Sequence, residues 1–468
     1  MTQLKRSIGK WSLVLLIINS IIGAGIFGLP SKVFGLSGVY SLLAFGVCAI
    51  VVMVFILCFA EVSSRFDKTG GPYIYAYTAL GPFPGFMTGW LLLLSRIFNY
   101  ATLINLLVIY LSFFSPAFKE PGLRIVCILT LTIFFTIINH IGVKSSTRVN
   151  NLLTIAKLLP LTAFIVIGLF NIQPASFSTN QSFEFSSFST SVLLLVFAFG
   201  GFESVLINTG EVHNPRKNLP FALITGFIFI TIFYCLIQFV SIGTLPGLAT
   251  SEKPLADAAH LFMGNWGGIL IATGAVISIS GTLNAIVLGG SRLPFAFSTE
   301  GQFPQLFSFI HPKRLTPTWS LLLFIAITTV VSLIWSFFAA LTIGSIIRVM
   351  VYLMVCISML FLRKKKSAGN DYFKVRFGYF LATAAAAFAG WLLLSSKWKE
   401  LREIGICMLI GIILFGLYEL SKKRSGKNGR ELGDRSSELG VTSQEKQEAI
   451  SFVRKTASVR RKPLGKKL

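Results

Sequence analysis

The chain has 468 residues, 54% of them apolar and only 13% charged, with a formal net charge of +24. Soluble domains carry about 25% charged residues, so this composition excludes a soluble multidomain protein, a secreted disulfide scaffold and a disordered chain. Residues 421–468 hold 14 of the Lys and Arg against 5 Asp and Glu, and most of the rest lie in short loops. The charge therefore reports topology and a solvated tail, not a nucleic-acid-binding domain.

Apolar stretches of about 18–25 residues, each long enough to cross a bilayer as a helix, recur from residue 12 to residue 420. A window of about 19 residues predicts twelve spans, near 12–35, 38–62, 83–113, 124–141, 149–170, 188–211, 219–244, 265–297, 318–336, 339–362, 377–396 and 403–420. The expected fold class is an all-α polytopic membrane protein. Met1 to Lys10 followed by the run from Trp11 imitates a signal peptide. The run contains a glycine-rich interruption and further spans follow, so a retained first helix is expected.

Span one contains Ile21-Ile22-Gly23-Ala24-Gly25-Ile26-Phe27-Gly28-Leu29-Pro30, three glycines in six residues and then a proline. Such a stretch weakens a helix at mid-membrane. Span three carries Arg96 and Asn99. An unpaired charge at that depth is costly, so Arg96 is expected to pair inside the protein, on substrate or on a carboxylate such as Glu61. In span five, Asn150, Thr154 and Lys157 fall on one helical face, which is expected to meet protein.

Span six reads Phe197-Ala198-Phe199-Gly200-Gly201-Phe202-Glu203, again a glycine pair at mid-depth, now followed by a carboxylate. Paired interruptions in corresponding halves point to a midplane binding site. Unwinding exposes N–H and C=O groups that lipid cannot satisfy. A half-helix N-terminus favours an anion, and freed carbonyls favour an ammonium, so the pair suits a zwitterion. The competing reading is that these glycines only permit close helix packing.

Arg348 in span ten receives no role from the sequence. The six cysteines lie in apolar stretches without metal-ligand spacing, and His140, His213, His260 and His311 lie near span ends or in loops. No metal site, cofactor or catalytic grouping is expected. With the N-terminus inside, the inner segments and inner helix ends hold eighteen Lys and Arg against seven on the outer side. Both termini are thus expected in the cytoplasm.

Four motifs carry a family resemblance: Gly23-Ala-Gly-Ile-Phe-Gly-Leu-Pro30; Ala60-Glu-Val-Ser-Ser-Arg-Phe-Asp-Lys-Thr-Gly-Gly-Pro-Tyr73; Phe199-Gly-Gly-Phe-Glu203 through Gly210-Glu-Val-His-Asn-Pro-Arg-Lys-Asn-Leu-Pro220; and Ser291-Arg-Leu-Pro-Phe-Ala296 with Gly301-Gln-Phe-Pro304. In this order, from about residue 8 to 420, the chain resembles the amino acid–polyamine–organocation transporters.

The resemblance implies a leucine-transporter-type fold. Its two inverted five-helix repeats would be about 12–170 and 188–362, with two extra helices in 377–420; the basic tail in 421–468 lies outside the resemblance and is expected to be disordered. It also implies alternating access with an amino acid held between helices one and six. Backbone amides of Gly23, Ala24 and Gly25, flanked by Ile22 and Ile26, would hold the carboxylate. Carbonyls around Ala198, Phe199 and Gly200 would hold the amine, and Phe202 would close over the substrate.

Lys157 would then occupy the place of a sodium ion in sodium-coupled relatives. Desolvation there would let it release a proton; a snorkelling or bracing lysine is the other reading. Glu203 is read first as a cap on the second half of span six and second as a proton carrier. The driving force would be a proton gradient or a counter-substrate.

The function expected is secondary amino acid transport by symport or exchange, in a bacterial plasma membrane, as a monomer or homo-oligomer. Residues 114–123 contain no cysteine, so no disulfide-linked heavy chain is expected. The tail clusters Lys422-Lys-Arg424 and Arg460-Arg-Lys462 could meet anionic lipid. An amine or polyamine transporter and a transporter-like amino acid sensor are the alternatives.

Overall fold

The computed structural model describes residues 8–66, 71–141, 147–178, 182–312, 314, 316–364 and 372–438. Among them there is no strand, and β pairing is confined to one parallel bridge between Ile8 and Val212. Part of the second motif (67–70) and the cluster at Arg460 lie outside these residues, as does the side chain of Asn150. By internal contacts the chain divides into Met1–Gly411 and Ile412–Leu468.

The helices are α1 (Lys10–Ile21), α2 (Ala24–Ser37), α3 (Ser41–Ser64), α4 (Pro72–Leu80), α5 (Pro82–Leu111), α6 (Pro121–Ile141) and α7 (Thr147–Leu169). They continue with α8 (Phe185–Phe199), α9 (Pro215–Thr244), α10 (Pro254–Thr299), α11 (Thr318–Ile334), α12 (Phe337–Lys364), α13 (Gly378–Leu394) and α14 (Trp398–Glu438). Eight helical stretches among the described residues are long and apolar enough to cross a bilayer. Four shorter apolar helices accompany them: Lys10–Ile21, Thr154–Leu169, Thr318–Ile334 and Gly378–Leu394.

Sequence and burial together tell inner helices from outer ones. On α6 only Ile128, Thr132, Phe135 and Asn139 are buried. That is one stripe at helical spacing; the remaining faces expose Ile125, Val126, Ile133, Phe134 and Ile137. Water would penalise such surface, and hydrocarbon solvates it. Helix α5, by contrast, is buried on nearly every side from Gly85 to Tyr110 and packs against α10, α11 and α12. Its starting Pro82 is tolerated because a first-turn residue needs no donor within the helix.

Two helices depart from the predicted spans. Helix α10 starts ahead of the predicted residue 265, at Pro254, and is interrupted at Gly264, whose φ of +69° is a conformation that favours glycine. Helix α14 continues past the apolar stretch that ends at Leu420 and reaches Glu438.

One end of the helix packing is fixed by a buried carboxylate. Glu61, at the last turn of α3, is fully buried. It accepts hydrogen bonds from Arg65 Nη2 at 2.9 Å, Arg363 Nε at 2.7 Å and the backbone N–H of Val375 at 2.9 Å, with a further contact from Arg363 Nη2. Arg65 Nη1 donates in turn to the carbonyl of Leu362 at 2.8 Å. A charge can be buried this way because every lone pair is met by a charged or backbone donor. Glu61 is therefore not the partner of Arg96.

Candidate functional site

Both glycine-rich interruptions are real breaks. Helix α1 stops at Ile21, Ile22 (φ −69°, ψ 95°) and Gly23 (φ −134°, ψ −147°) leave the helix, and α2 restarts at Ala24. Helix α8 stops at Phe199; Gly200 is extended, Gly201 has φ +117°, and a 3-10 helix, Phe202–Glu211, follows. The N–H groups in the first turn of α2 have no acceptor within that helix, and they belong to the buried Ala24, Gly25 and Ile26. Pro30 does not interrupt α2. It cannot donate to the carbonyl of Ile26, and nearby the Tyr110 hydroxyl donates to the carbonyl of Phe27 at 2.7 Å.

The two breaks are brought together. A Cβ on Gly25 would lie 2.5 Å from the Cα of Ala198 and 2.8 Å from its Cβ. Likewise a Cβ on Gly201 would collide with the carbonyl oxygen of Ser20. The halves α2 and α8 pack side by side, and α1 meets the 3-10 helix that follows α8. These glycines therefore serve both readings of the sequence: they unwind the chain and they allow backbones to touch.

Side chains from neighbouring helices take several of the freed carbonyls. Lys157 of α7 is buried, with Nζ 3.4 Å from the carbonyl oxygen of Ile22 and 3.4 Å from Thr282 Oγ1 of α10. Gly23 faces the same threonine, since a Cβ on Gly23 would lie 3.7 Å from Thr282 Cγ2. Tyr234 of α9 donates its hydroxyl to the carbonyl of Ile21 at 3.2 Å. Thr154, one helical turn before Lys157, is also buried, and its hydroxyl lies 3.4 Å from the carbonyl of Leu15.

At the second break, Arg348 of α12 donates through Nη1 to the carbonyl of Phe197 at 3.0 Å. Its guanidinium lies against Gly200, in the space a side chain there would need, and 5.4 Å from the Phe197 ring centroid. Arg348 Nε faces Glu203 Oε1 at 3.4 Å, both side chains being buried. Glu203 Oε2 accepts from the N–H of Gly201 at 2.9 Å and from the Tyr352 hydroxyl at 3.1 Å. The carboxylate thus holds the backbone at the start of the 3-10 helix, as a cap does.

The fold places two further side chains near the breaks. Arg96 is partly exposed, and its Nη2 donates to Ser204 Oγ at 2.7 Å. Phe202 is fully buried, with its ring 5.3 Å from Phe59 and 5.4 Å from Tyr352. It packs between α3 and α12. Sequence reasoning left Arg348 without a role and gave none to Tyr234, Thr282 or Tyr352. For Arg348 the signal was its charge at membrane depth; the others are uncharged and carried none.

The sequence has relatives among known proteins. The family model described as amino acid permease matches residues 8–415. The chain is 30% identical to the serine/threonine exchanger SteT of Bacillus subtilis, over 90% of this chain and 98% of that protein. It is 26% identical to the branched-chain amino acid permease BcaP of the same organism, over 91% of this chain and 95% of that protein. To the methylthioribose transporter of Bacillus subtilis it is 27% identical, over 90% and 95% respectively.

Proposed function

The chain belongs to the amino acid permease family, an integral membrane transporter family, and we propose that it moves amino acids across a bacterial plasma membrane by alternating access. The observation that carries this reading is the meeting of two broken helices at Gly25 and Ala198. The first turn of α2 offers free N–H groups to a carboxylate. The carbonyls of Ala198, Phe199 and Gly200 offer acceptors to an amine.

In this reading the apolar helices make twelve crossings, α1 and α2 together forming the first and α3 the second, arranged as two inverted repeats and two added helices, with both termini in the cytoplasm. Backbone of Gly23, Ala24 and Gly25, between Ile22 and Ile26, holds the substrate carboxylate. Lys157 ties the first break to α10 and is the group through which a proton would be felt there. Glu203 serves the second break as a cap. Such a site binds and orients a zwitterion; what drives net movement is either a proton gradient or an amino acid on the other side.

The test is uptake of a labelled amino acid mixture by vesicles holding the purified protein. Uptake raised by an inward proton gradient supports symport, and uptake that requires preloaded amino acid supports exchange. Saturable binding with neither would assign the chain to sensing and remove the transport reading.

A further inference from the structure

We infer that Arg348 sets the side-chain charge this site accepts, admitting neutral and acidic amino acids and excluding cationic ones. The inference deepens the proposed function and rests on an amino acid binding at the two breaks. It starts from the charges that the fold gathers there. Arg348 and Lys157 are buried cations, each in hydrogen-bond contact with a backbone carbonyl beside a break. Among the described residues at the breaks the buried carboxylate is Glu203. Its capacity is already taken by the N–H of Gly201, the hydroxyl of Tyr352 and the facing Arg348.

A zwitterionic backbone brings no net charge to this region, so the side chain of the substrate decides the balance. A lysine or arginine substrate would add a positive charge where two resident cations already outnumber the single carboxylate, in a place where little water screens them. Arg348 is the resident charge that matters most, because its guanidinium fills the space beside Gly200 at the second break. It is also fixed in place, lying on Gly200 and donating to the carbonyl of Phe197. Removing its charge would expose the Glu203 carboxylate to the same space and reverse the preference.

The test uses the full chain in vesicles, with uptake of labelled serine challenged by unlabelled serine, leucine, glutamate and lysine. Lysine is expected to compete at least about tenfold more weakly than serine or leucine. In Arg348→Gln, lysine competition should strengthen by about tenfold. In the double variant Arg348→Gln/Glu203→Gln, which removes both members of the buried ion pair, that gain should disappear. Thermal shifts of the detergent-solubilised protein on adding lysine or serine give the same comparison for a variant that no longer transports. Lysine competing as well as serine in the unsubstituted protein would overturn the inference alone. So would an Arg348→Gln protein with unaltered discrimination, or a gain that persists in the double variant. Absence of both uptake and thermal shift with every amino acid would overturn the transport reading and this inference with it.

Discussion

Ala198 occupies the place that a side chain on Gly25 would need, its Cα 2.5 Å from that position. Helices α2 and α8 thus touch through backbone. Gly25→Val is expected to force α2 and α8 apart at a cost of about 1–3 kcal/mol and to abolish uptake while circular dichroism still reports a helical protein. Gly46→Ala, on α3 where a Cβ meets nothing within 4 Å, is the control and should leave uptake and melting unchanged. Full uptake by Gly25→Val would mean that the contact is not part of the working site.

Lys157→Met removes the ammonium that faces the carbonyl of Ile22 at 3.4 Å. A charged hydrogen bond of this kind contributes about 1.5–3 kcal/mol, so uptake should fall by roughly 10- to 100-fold. The residual rate should no longer vary with an imposed proton gradient. Retained gradient dependence in Lys157→Met would remove Lys157 from the coupling step and leave it as a brace between α7, α10 and the first break.

Glu61→Gln leaves Arg363 and Arg65 buried without their shared carboxylate. Breaking such a cluster costs about 3–5 kcal/mol, which should appear as a clear drop in the thermal midpoint in detergent. A midpoint within a degree or so of the starting protein would show that the cluster does not hold α3 to α12.

Tyr110→Phe deletes one hydroxyl, which donates to Phe27 at 2.7 Å close to Pro30. The expected loss is about 0.5–1.5 kcal/mol of stability, read as a small fall in the same thermal midpoint. A fall as large as that of Glu61→Gln would mean that this hydroxyl does more than satisfy one carbonyl.

What the sequence made legible was what the backbone itself encodes. Glycine pairs and clusters act directly on φ and ψ, so the breaks at Ile22–Gly23 and Gly200–Gly201 fall where the residues place them. Apolar run lengths likewise marked the crossing helices. Partnerships between distant side chains were not legible. Nothing near Glu203 in the chain names Arg348, and Arg96 could as well have met Glu61 until the fold sent it to Ser204. Nor did the sequence name the ring neighbours of Phe202, which are Phe59 and Tyr352. The break at Gly264 was missed although Gly264-Asn-Trp-Gly267-Gly268 is as glycine-dense as span one, because it lies just ahead of the apolar run that begins at residue 265.

The knot around Glu61 also bears on how the protein is made. Arg363 lies 302 residues further along the chain, so during synthesis α3 is delivered to the membrane long before its main counter-charge exists. Arg65, four positions on from Glu61, is the guanidinium at hand in that interval. A nascent helix ending in Glu-Val-Ser-Ser-Arg carries its own provisional ion pair until the last helices arrive. Arg65→Ala should therefore lower the yield of membrane-inserted protein more than it lowers the melting midpoint of what is recovered; the opposite pattern would confine Arg65 to the finished fold.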